Sequence, residues 1–309
     1  MAVIMDAEPT HREAIAALAG LELSALKETT NTPGLLRLAG HAGVLVLAAL
    51  VIFLTHSWIV WCLAVLIYGI AIVFLFSLEH ETIHGTAFRS GWLNTAIAQA
   101  AGFPLLLPPR WFRYFHFAHH RHTQDPTRDP ELASPKPKDL IGYAVHISGI
   151  PYWRDAILRL SWHTLGRAEE DFIPASGRAK VIAEARAHVA VIAVVATASA
   201  TFGWTWPLKL WILPALIGQP FLRAYLLAEH AACPLVADML ANSRTTYTTA
   251  IVRFLAWNMP YHSAHHAVPT VPFHNLPELN AKLSGRLKST AEGYVDAHRQ
   301  IRAAFFSRQ

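Results

Sequence analysis

The chain has few charged residues and almost no cysteine. Only 15% of its 309 residues are charged, whereas soluble globular domains average about 25%. The two cysteines, Cys62 and Cys233, exclude a disulfide framework and any cysteine-based iron–sulfur or rubredoxin-type site. No Gly-rich dinucleotide fingerprint is present, and no basic run is dense enough to predict binding to nucleic acid.

Long apolar stretches are what the sequence has instead of charge. Hydrophobic residues make up 53% of the chain, and four stretches approach the length of about 20 residues that a bilayer crossing needs. These stretches are residues 35–55, 58–78, 187–204 and 210–228. The fourth contains Pro214, Gly218 and Pro220, so we expect it to be kinked. The sequence therefore predicts an all-α integral membrane protein with four transmembrane helices.

The distribution of lysine and arginine predicts how these helices are oriented. The connections at 56–57 and 205–209 hold one lysine between them, whereas residues 79–186 hold thirteen Lys or Arg residues and the stretch after 231 holds eight. By the positive-inside rule, both termini and the long middle segment face the cytoplasm. The net charge of +5 suits contact with anionic headgroups. We expect a multi-pass protein of a bacterial inner membrane.

The remaining segments predict interfacial and cap elements within one domain spanning residues 1–309. Helical spacing of apolar residues predicts an amphipathic helix over 10–28, which Asn-Thr-Pro-Gly at 31–34 would end. Residues 91–107 predict a re-entrant or interfacial helix, and 139–165 an interfacial helix. Ser289 and Glu292 predict the start of a final polar helix. The domain then divides into an N-terminal helical segment, a core and a polar C-terminal helix, at 1–34, about 40–280 and 281–309.

Half of the eighteen histidines fall into four short clusters at the ends of apolar stretches or beside them. Neutral imidazole is the commonest metal ligand in proteins, and residues three or four apart share one helix face. Each cluster can therefore direct its nitrogens to one point, with no further catalytic residue needed. The candidate ligands are His80, His84, His116, His119, His120, His230, His262, His265 and His266.

Nine imidazoles are too many for one four-coordinate zinc ion, which uses three protein ligands and a water, and they suit two iron ions. Carboxylates near the clusters could accept hydrogen bonds from the ligands; the candidates are Asp125, Asp129, Glu131 and Glu229. Asn258 could hold a metal-bound water. We expect Arg223, inside an apolar span, either to be paired, with Glu229 as the candidate partner, or to extend its guanidinium to the membrane interface. We expect surface or ordinary hydrogen-bonded roles for His41, His56, His146, His163 and His188, and for His122 and His274 a role at the surface or behind the ligand imidazoles.

Two other functions use part of the same pattern. The run His80-Glu81-x-x-His84 matches the signature of zinc metalloproteases, in which the glutamate is the general base. That interpretation leaves seven clustered histidines unexplained. A metal transporter would hold its ligands at the middle of the membrane, whereas these clusters lie at one face. Both alternatives are therefore disfavoured.

The histidine clusters resemble the three histidine boxes of the membrane fatty acid desaturase family, which also includes hydroxylases. The resemblance covers residues 80–84, 111–131 and 258–279 within about 40–280. It implies a four-helix transmembrane stalk and a cytoplasmic cap with two Fe2+ ions bound by the boxed histidines and His230. The asparagine that this family places four residues before that histidine is absent here.

The resemblance also implies a reaction. It predicts O2-dependent introduction of a double bond into an acyl or lipid chain, with hydroxylation of a lipid, carotenoid or small molecule as the alternative. The chain contains no electron-transfer cofactor motif of its own, neither the dinucleotide fingerprint nor a His-Pro-Gly-Gly segment. We therefore expect an external ferredoxin, rubredoxin or cytochrome b5 as electron donor.

Overall fold

The computed structural model describes residues 10–18, 20–134 and 136–306, and almost all of the regular structure is helical. The first half of the chain forms helices α1 to α9. They are Thr10–Ala16, Gly20–Leu26, Asn31–Leu54, Trp58–Val73, Leu75–His84, Gly91–Gly102, Pro109–His122, Leu140–Ile147 and Ile150–Thr164.

The second half adds seven helices, α10 to α16, and two short strands. The helices are Ala175–Phe202, Leu213–His230, Met239–Asn242, Ala250–Leu255, His262–Ala267, Leu276–Leu283 and Tyr294–Phe306. Strand β1 (Thr245–Tyr247) follows α12, and strand β2 (Thr290–Glu292) precedes α16.

Four helical stretches are long and apolar enough to cross a membrane, as predicted. They are Glu22–Leu54, Trp58–His84, Ala175–Phe202 and Leu208–His230. The third has 28 residues, so its length of about 42 Å exceeds a hydrocarbon core of about 30 Å. The apolar stretch predicted over 187–204 therefore covers only the second half of α10, which begins twelve residues earlier, at Ala175, and ends at Phe202.

The N-terminal region differs from the single amphipathic helix predicted over residues 10–28. Two short helices, α1 and α2, occur there, and α3 begins at Asn31. The prediction that residues 31–34 end a helix is wrong, because they form the first turn of α3. Pro33 is tolerated in that turn because the first backbone N–H groups of a helix have no partner within the helix.

The second span carries its helical geometry beyond the apolar stretch to the first pair of histidines. Helices α4 and α5 meet at Phe74, whose φ and ψ of −74° and −2° interrupt the helix for one residue. Helix α5 ends at His84, followed by Gly85 with φ +80°. A left-handed glycine is a common helix end, so Gly85 ends α5 directly after the two histidines.

Helices α4 and α11 touch through their backbones. A Cβ on Gly218 would overlap the carbonyl oxygen of Gly69, and a Cβ on Gly69 would lie 2.5 Å from the carbonyl oxygen of Pro214. Small residues permit this approach between membrane helices. A π-helical turn, Leu208–Ile212, precedes α11, and Pro220 lies within α11. The kink expected in the fourth span stays a prediction.

The helices between the second and third spans complete the histidine-bearing end of the molecule. Helix α6 ends in a 3-10 turn, Phe103–Leu105, and packs against α5, so residues 91–107 do not form a fifth span. The segment predicted as one interfacial helix over 139–165 is two, α8 and α9, divided at Gly149 with φ +75°.

A small parallel sheet, which the sequence did not predict, ties the C-terminal segment to the cap. Strands β1 and β2 pair Thr245 with Thr290 and Tyr247 with Glu292. The predicted helix start at Ser289 and Glu292 is therefore wrong, because this segment pairs with β1. Gly293, with φ +87°, separates β2 from α16, which begins at Tyr294.

Replacing Gly218 by alanine should destabilise the helix pair α4–α11. The added methyl group has no space, and overpacking costs about 1–3 kcal/mol, so we expect a lower apparent melting temperature in detergent. Gly43→Ala in α3 is the matched control, because its Cβ would meet no atom within 4 Å and alanine favours helix by about 1 kcal/mol. Equal melting temperatures for Gly218→Ala and the unmodified protein would contradict this packing.

Candidate metal centre

Nine histidine side chains from four helices converge at one end of the membrane-spanning helices. Helices α5 and α11 carry three of them at their last turns, and α7 and α14 carry three each. The spacings bring the side chains of each helix to one side, as predicted. The structure thus brings together all nine predicted residues, seven buried and two, His84 and His120, partly buried.

The first group contains five imidazoles whose candidate ligand atoms all lie within 4.8 Å of one another: His80, His84, His116, His120 and His265. The Nε2 atom of His116 is 2.9 Å from Nε2 of His84 and 2.9 Å from Nε2 of His120. Nitrogens about 2.1 Å from one ion and at right angles around it would lie about 3.0 Å apart. The group therefore has the spacing of ligands around a single metal ion.

The second group contains His119, His230 and His266, again with ligand atoms within 4.8 Å. The Nε2 atoms of His119 and His230 are 3.2 Å apart. His262 adjoins this group, because its Nε2 lies 2.9 Å from Nε2 of His230 and its ring centroid 4.4 Å from that of His266. The nine imidazoles thus divide into five and four.

Several of these nitrogens are buried without a hydrogen-bond partner. Both nitrogens of His80 and the Nε2 of His266 have none within the described residues, although buried polar atoms are normally bonded. Burial also lowers the pKa of the cap imidazoles well below the ordinary value, and so favours their neutral form; these are His116, His120, His262, His265 and His266. Neutral imidazoles that share one point fit a bound cation.

Carboxylates on the polar side orient one member of the second group. The Nδ1 atom of His119 lies 2.9 Å from Oδ1 of Asp129 and 3.3 Å from Oε2 of Glu131. Burial opposes protonation, but these two carboxylates outweigh it and raise the pKa of His119. A hydrogen on Nδ1 leaves the Nε2 lone pair directed at His230. The predicted hydrogen-bonding roles of Asp129 and Glu131 agree with this geometry.

The end of α11 is held by backbone and side-chain contacts that orient His230 and its neighbour. The Nδ1 atom of His230 lies 3.1 Å from the carbonyl oxygen of Asn242, which directs Nε2 at the second group. Glu229 Oε1 is 3.4 Å from Nδ1 of His262 but accepts no hydrogen bond from it, so the hydrogen-bonding role of Glu229 stays a prediction. Arg244, which is buried, donates to the carbonyl oxygens of Ala228 and Ala231.

Two of the predicted supporting contacts are wrong. The carboxylate of Asp125 accepts hydrogen bonds from Thr127 and Arg128 rather than from an imidazole. Arg223 has no carboxylate within ion-pair distance among the described residues, and its guanidinium lies over the ring of Tyr152, 4.4 Å from the centroid. In both cases another partner competes with the predicted one. The carboxylate of Asp125 is used by the hydrogen bonds of its own Asx-type turn, and the guanidinium of Arg223 stacks on the aromatic ring of Tyr152.

Asn258 and the isolated histidines lie outside the two groups. The Asn258 amide donates to the carbonyl oxygen of Phe273 at 2.9 Å, so its role in holding a metal-bound water stays a prediction. Ordinary hydrogen bonds are confirmed for three of the isolated histidines: to the Ala71 carbonyl, to Glu170 and to the Phe103 carbonyl for His41, His163 and His188. His56 is exposed, and His122, His146 and His274 are partly buried.

The glutamate of the protease-like run does not serve as a general base here. Glu81 is fully buried, and its Oε2 accepts a hydrogen bond of 2.6 Å from Thr86 Oγ1. On helix α5 it therefore faces the turn that follows His84, whereas His80 and His84 face the first group. A protease would need this carboxylate beside a metal-bound water, so the structure disfavours that alternative.

A cavity of about 790 Å³ adjoins the imidazoles and gives them access to a ligand. His80, His116, His119 and His262 line one end, and aromatic and aliphatic side chains of α5, α7 and α11 form much of the wall. Such a concave, mainly apolar space with a few polar groups is typical of a binding site. An apolar ligand in this cavity would lie directly beside both imidazole groups.

Sequence reasoning missed the residues that fix the ends of the histidine-bearing helices. Gln124 donates from Nε2 to the carbonyl oxygen of His230, and its backbone N–H donates to Asp129. Thr123 Oγ1 lies 3.2 Å from Nδ1 of His266. Thr123 and Gln124 directly follow the second histidine cluster, so position alone was a signal. Arg244 gave no such signal, because its partners, Ala228 and Ala231, are thirteen or more residues away along the chain.

The chain has known relatives along most of its length. The profile of the fatty acid desaturase family matches residues 56–297. An sn-1 oleoyl-lipid 12-desaturase from Picosynechococcus sp. is 22% identical over 70% of this chain, and an sn-1 acyl-lipid omega-3 desaturase (ferredoxin) from Nostoc sp. is 22% identical over 71%. Each match spans 66% of the relative's own length, just under two thirds. The predicted resemblance is confirmed, and the chain belongs to the fatty acid desaturase family.

Proposed function

We propose that the protein is an O2-dependent acyl-lipid desaturase that binds two iron ions through its nine clustered histidines. The observation that carries this proposal is that nine converging imidazoles divide into a group of five and, with His262 beside the second group, a group of four. Two irons of high coordination number use all nine, and neutral imidazole suits iron. His80, His84, His116, His120 and His265 would hold one ion, and His119, His230, His262 and His266 the other.

Bound iron would supply the power to oxidise an unactivated C–H bond with O2. The protein itself orients the substrate and excludes water. Trp111 and Phe112, both buried, line the cavity beside His116, so an alkyl chain can lie against the imidazole groups away from solvent. Asp129 and the carbonyl oxygen of Asn242 keep His119 and His230 in the tautomer that presents Nε2.

The two relatives, both named as acyl-lipid desaturases, support a lipid substrate and desaturation rather than hydroxylation. The test is to express the chain in a heterologous bacterium and to measure its lipids by mass spectrometry. We expect products that have lost two hydrogens. Products that have gained one oxygen would instead identify a hydroxylase, and cleaved membrane peptides with unchanged lipids would identify a protease.

Replacing His119 or His265 by alanine should abolish product formation while leaving the protein inserted in the membrane. Each change removes one ligand from a different group, so either loss should be complete within detection. His56→Ala is the matched control, because His56 is exposed in the connection between α3 and α4. Full activity in His119→Ala or His265→Ala, measured by the same lipid profile, would contradict the assignment.

Asp129→Asn should weaken metal retention or activity by about 10- to 100-fold, the usual effect of losing a carboxylate behind a ligand imidazole. The amide keeps the shape but loses the charge that favours a proton on Nδ1 of His119. Asp125→Asn is the control, because Asp125 binds only Thr127 and Arg128 in its turn. Titration with a chelator measures metal retention, and identical curves for both variants would refute this role of Asp129.

We infer that the electron donor is an external acidic protein, of which ferredoxin is favoured over rubredoxin and cytochrome b5. The Nostoc relative is named with ferredoxin as its donor. By the positive-inside rule, we expect both termini and the imidazole groups to face the cytoplasm of a bacterial cell. Arg110, Arg121 and Arg128 are exposed on or near the histidine-bearing helix α7.

Turnover supported by a purified ferredoxin should therefore fall as ionic strength rises from about 0.01 to 0.5 M, because salt screens attraction between exposed charges. The measurement is the initial rate of product formation at a subsaturating ferredoxin concentration. A dithionite-driven rate at each salt concentration is the control for direct effects of salt on the enzyme. A ferredoxin-driven rate that does not depend on salt would argue against electrostatic docking.

A further inference from the structure

Three arginines line the cavity beside the imidazoles: Arg159 on α9, Arg223 on α11 and Arg167. Arg167 is exposed to solvent, whereas the other two are more deeply placed. In both side chains the Nε atom is shielded from solvent and has no hydrogen-bond partner. Arginine stays protonated in proteins, so both groups carry a full charge. A charge held away from water is strongly unfavourable unless an opposite charge compensates it.

Aromatic rings support both guanidiniums. The Cζ atom of Arg159 lies 3.9 Å from the ring centroid of Trp111, and that of Arg223 lies 4.4 Å from the centroid of Tyr152. Each ring is itself fixed by a hydrogen bond from its polar atom. Stacking covers one face of a guanidinium but leaves its N–H edge free. The two side chains are therefore held in place without using their donors for a carboxylate.

The carboxylates of the cavity wall are already paired with other groups. Glu131 lies 3.3 Å from His119 and 3.7 Å from Lys136. The closest cationic or imidazole partners of Asp155, Glu170 and Glu229 are Arg154 at 2.8 Å, His163 at 2.8 Å and His262 at 3.4 Å, respectively. Glu169 is exposed.

Within the described residues, no carboxylate oxygen lies within 4.0 Å of the Arg159 or Arg223 guanidinium. Glu131 and Glu229 act on Arg223 only from beyond that distance. Both guanidiniums also act electrostatically on the hydroxyl of Tyr152, which places them in one neighbourhood. Glu170, Glu79 and Asp155 likewise act on Arg159 only from beyond that distance. The cavity thus holds two guanidinium groups that have no direct ion pair with a carboxylate.

We propose that Arg159 and Arg223 bind the anionic headgroup of the substrate, a carboxylate or a phosphate, while its apolar chain extends to the imidazole groups. This inference rests on the proposed function and adds the class of substrate to it. Guanidinium binds both oxyanions through two parallel hydrogen bonds. Arg223 lies seven residues before His230, so it shares that helix face and lies about 10 Å away along the axis. Leu226 and Leu227 line the cavity between them.

The experiment measures binding to the purified full-length protein in a non-ionic detergent, without electron donor. Two pairs of probes are compared: oleate with methyl oleate, and phosphatidic acid with diacylglycerol of the same chains. We expect the acid of at least one pair to bind about tenfold more tightly than its neutral partner, which corresponds to about 1.4 kcal/mol. The pair that shows the preference identifies carboxylate or phosphate as the headgroup.

Arg159→Gln and Arg223→Gln should each reduce that preference severalfold and leave binding of the neutral probe unchanged. Arg154→Gln is the matched control on the same helix, because Arg154 is exposed and paired with Asp155. Unchanged binding of the neutral probe also shows that a variant is folded.

Equal affinity of the unmodified protein for the acid and neutral probes of both pairs would overturn the inference. A preference that survives both glutamine substitutions would overturn it too. Failure of the proposed function gives a different result. A protein that binds the acid more tightly but oxidises no lipid has the headgroup site without the proposed activity. Oxidation of neutral lipids without any preference in binding would leave the desaturase and remove the headgroup site.

Discussion

The structure depends on the convergence of nine buried or partly buried imidazoles, whose nitrogens have few hydrogen-bond partners other than one another. Neutral histidines packed in this way stabilise nothing by themselves, because a buried polar atom without a partner is costly. A pair of cations at the two groups would convert that cost into ligand bonds. With such ions bound, metal coordination as well as packing would hold together the four helices that carry the imidazoles, α5, α7, α11 and α14.

The membrane helices determine where these groups meet. Helices α5 and α11 end at the same level with His84 and His230, and the close contact of Gly69 with Gly218 sets the distance between the two spans. The cap then adds α7 and α14. Carboxylates and backbone oxygens behind the ligands, such as Asp129 and the carbonyl of Asn242, orient the rings on the side away from the membrane.

The candidate ligand residues and the helices that carry them were predictable, because both follow from the spacing of residues that are close in sequence. His119 and His120 are three and four residues after His116, so all three lie on one side of a helix whatever the rest of the chain does. The β1–β2 pairing, the Arg244 contacts with α11 and the position of Arg223 over Tyr152 were not predictable, since their partners are distant in sequence. The turn at Asp125 was missed because a hydrogen bond within three residues competed with the expected imidazole.

The division of the imidazoles into a group of five and a group of four supports the proposal that the chain binds two metal ions, for which iron is the candidate. The most direct test is elemental analysis of the purified protein after expression in iron-replete cells, with the protein concentration measured by amino-acid analysis. The account predicts two iron atoms per polypeptide. A single zinc atom per polypeptide, or no bound transition metal, would contradict it.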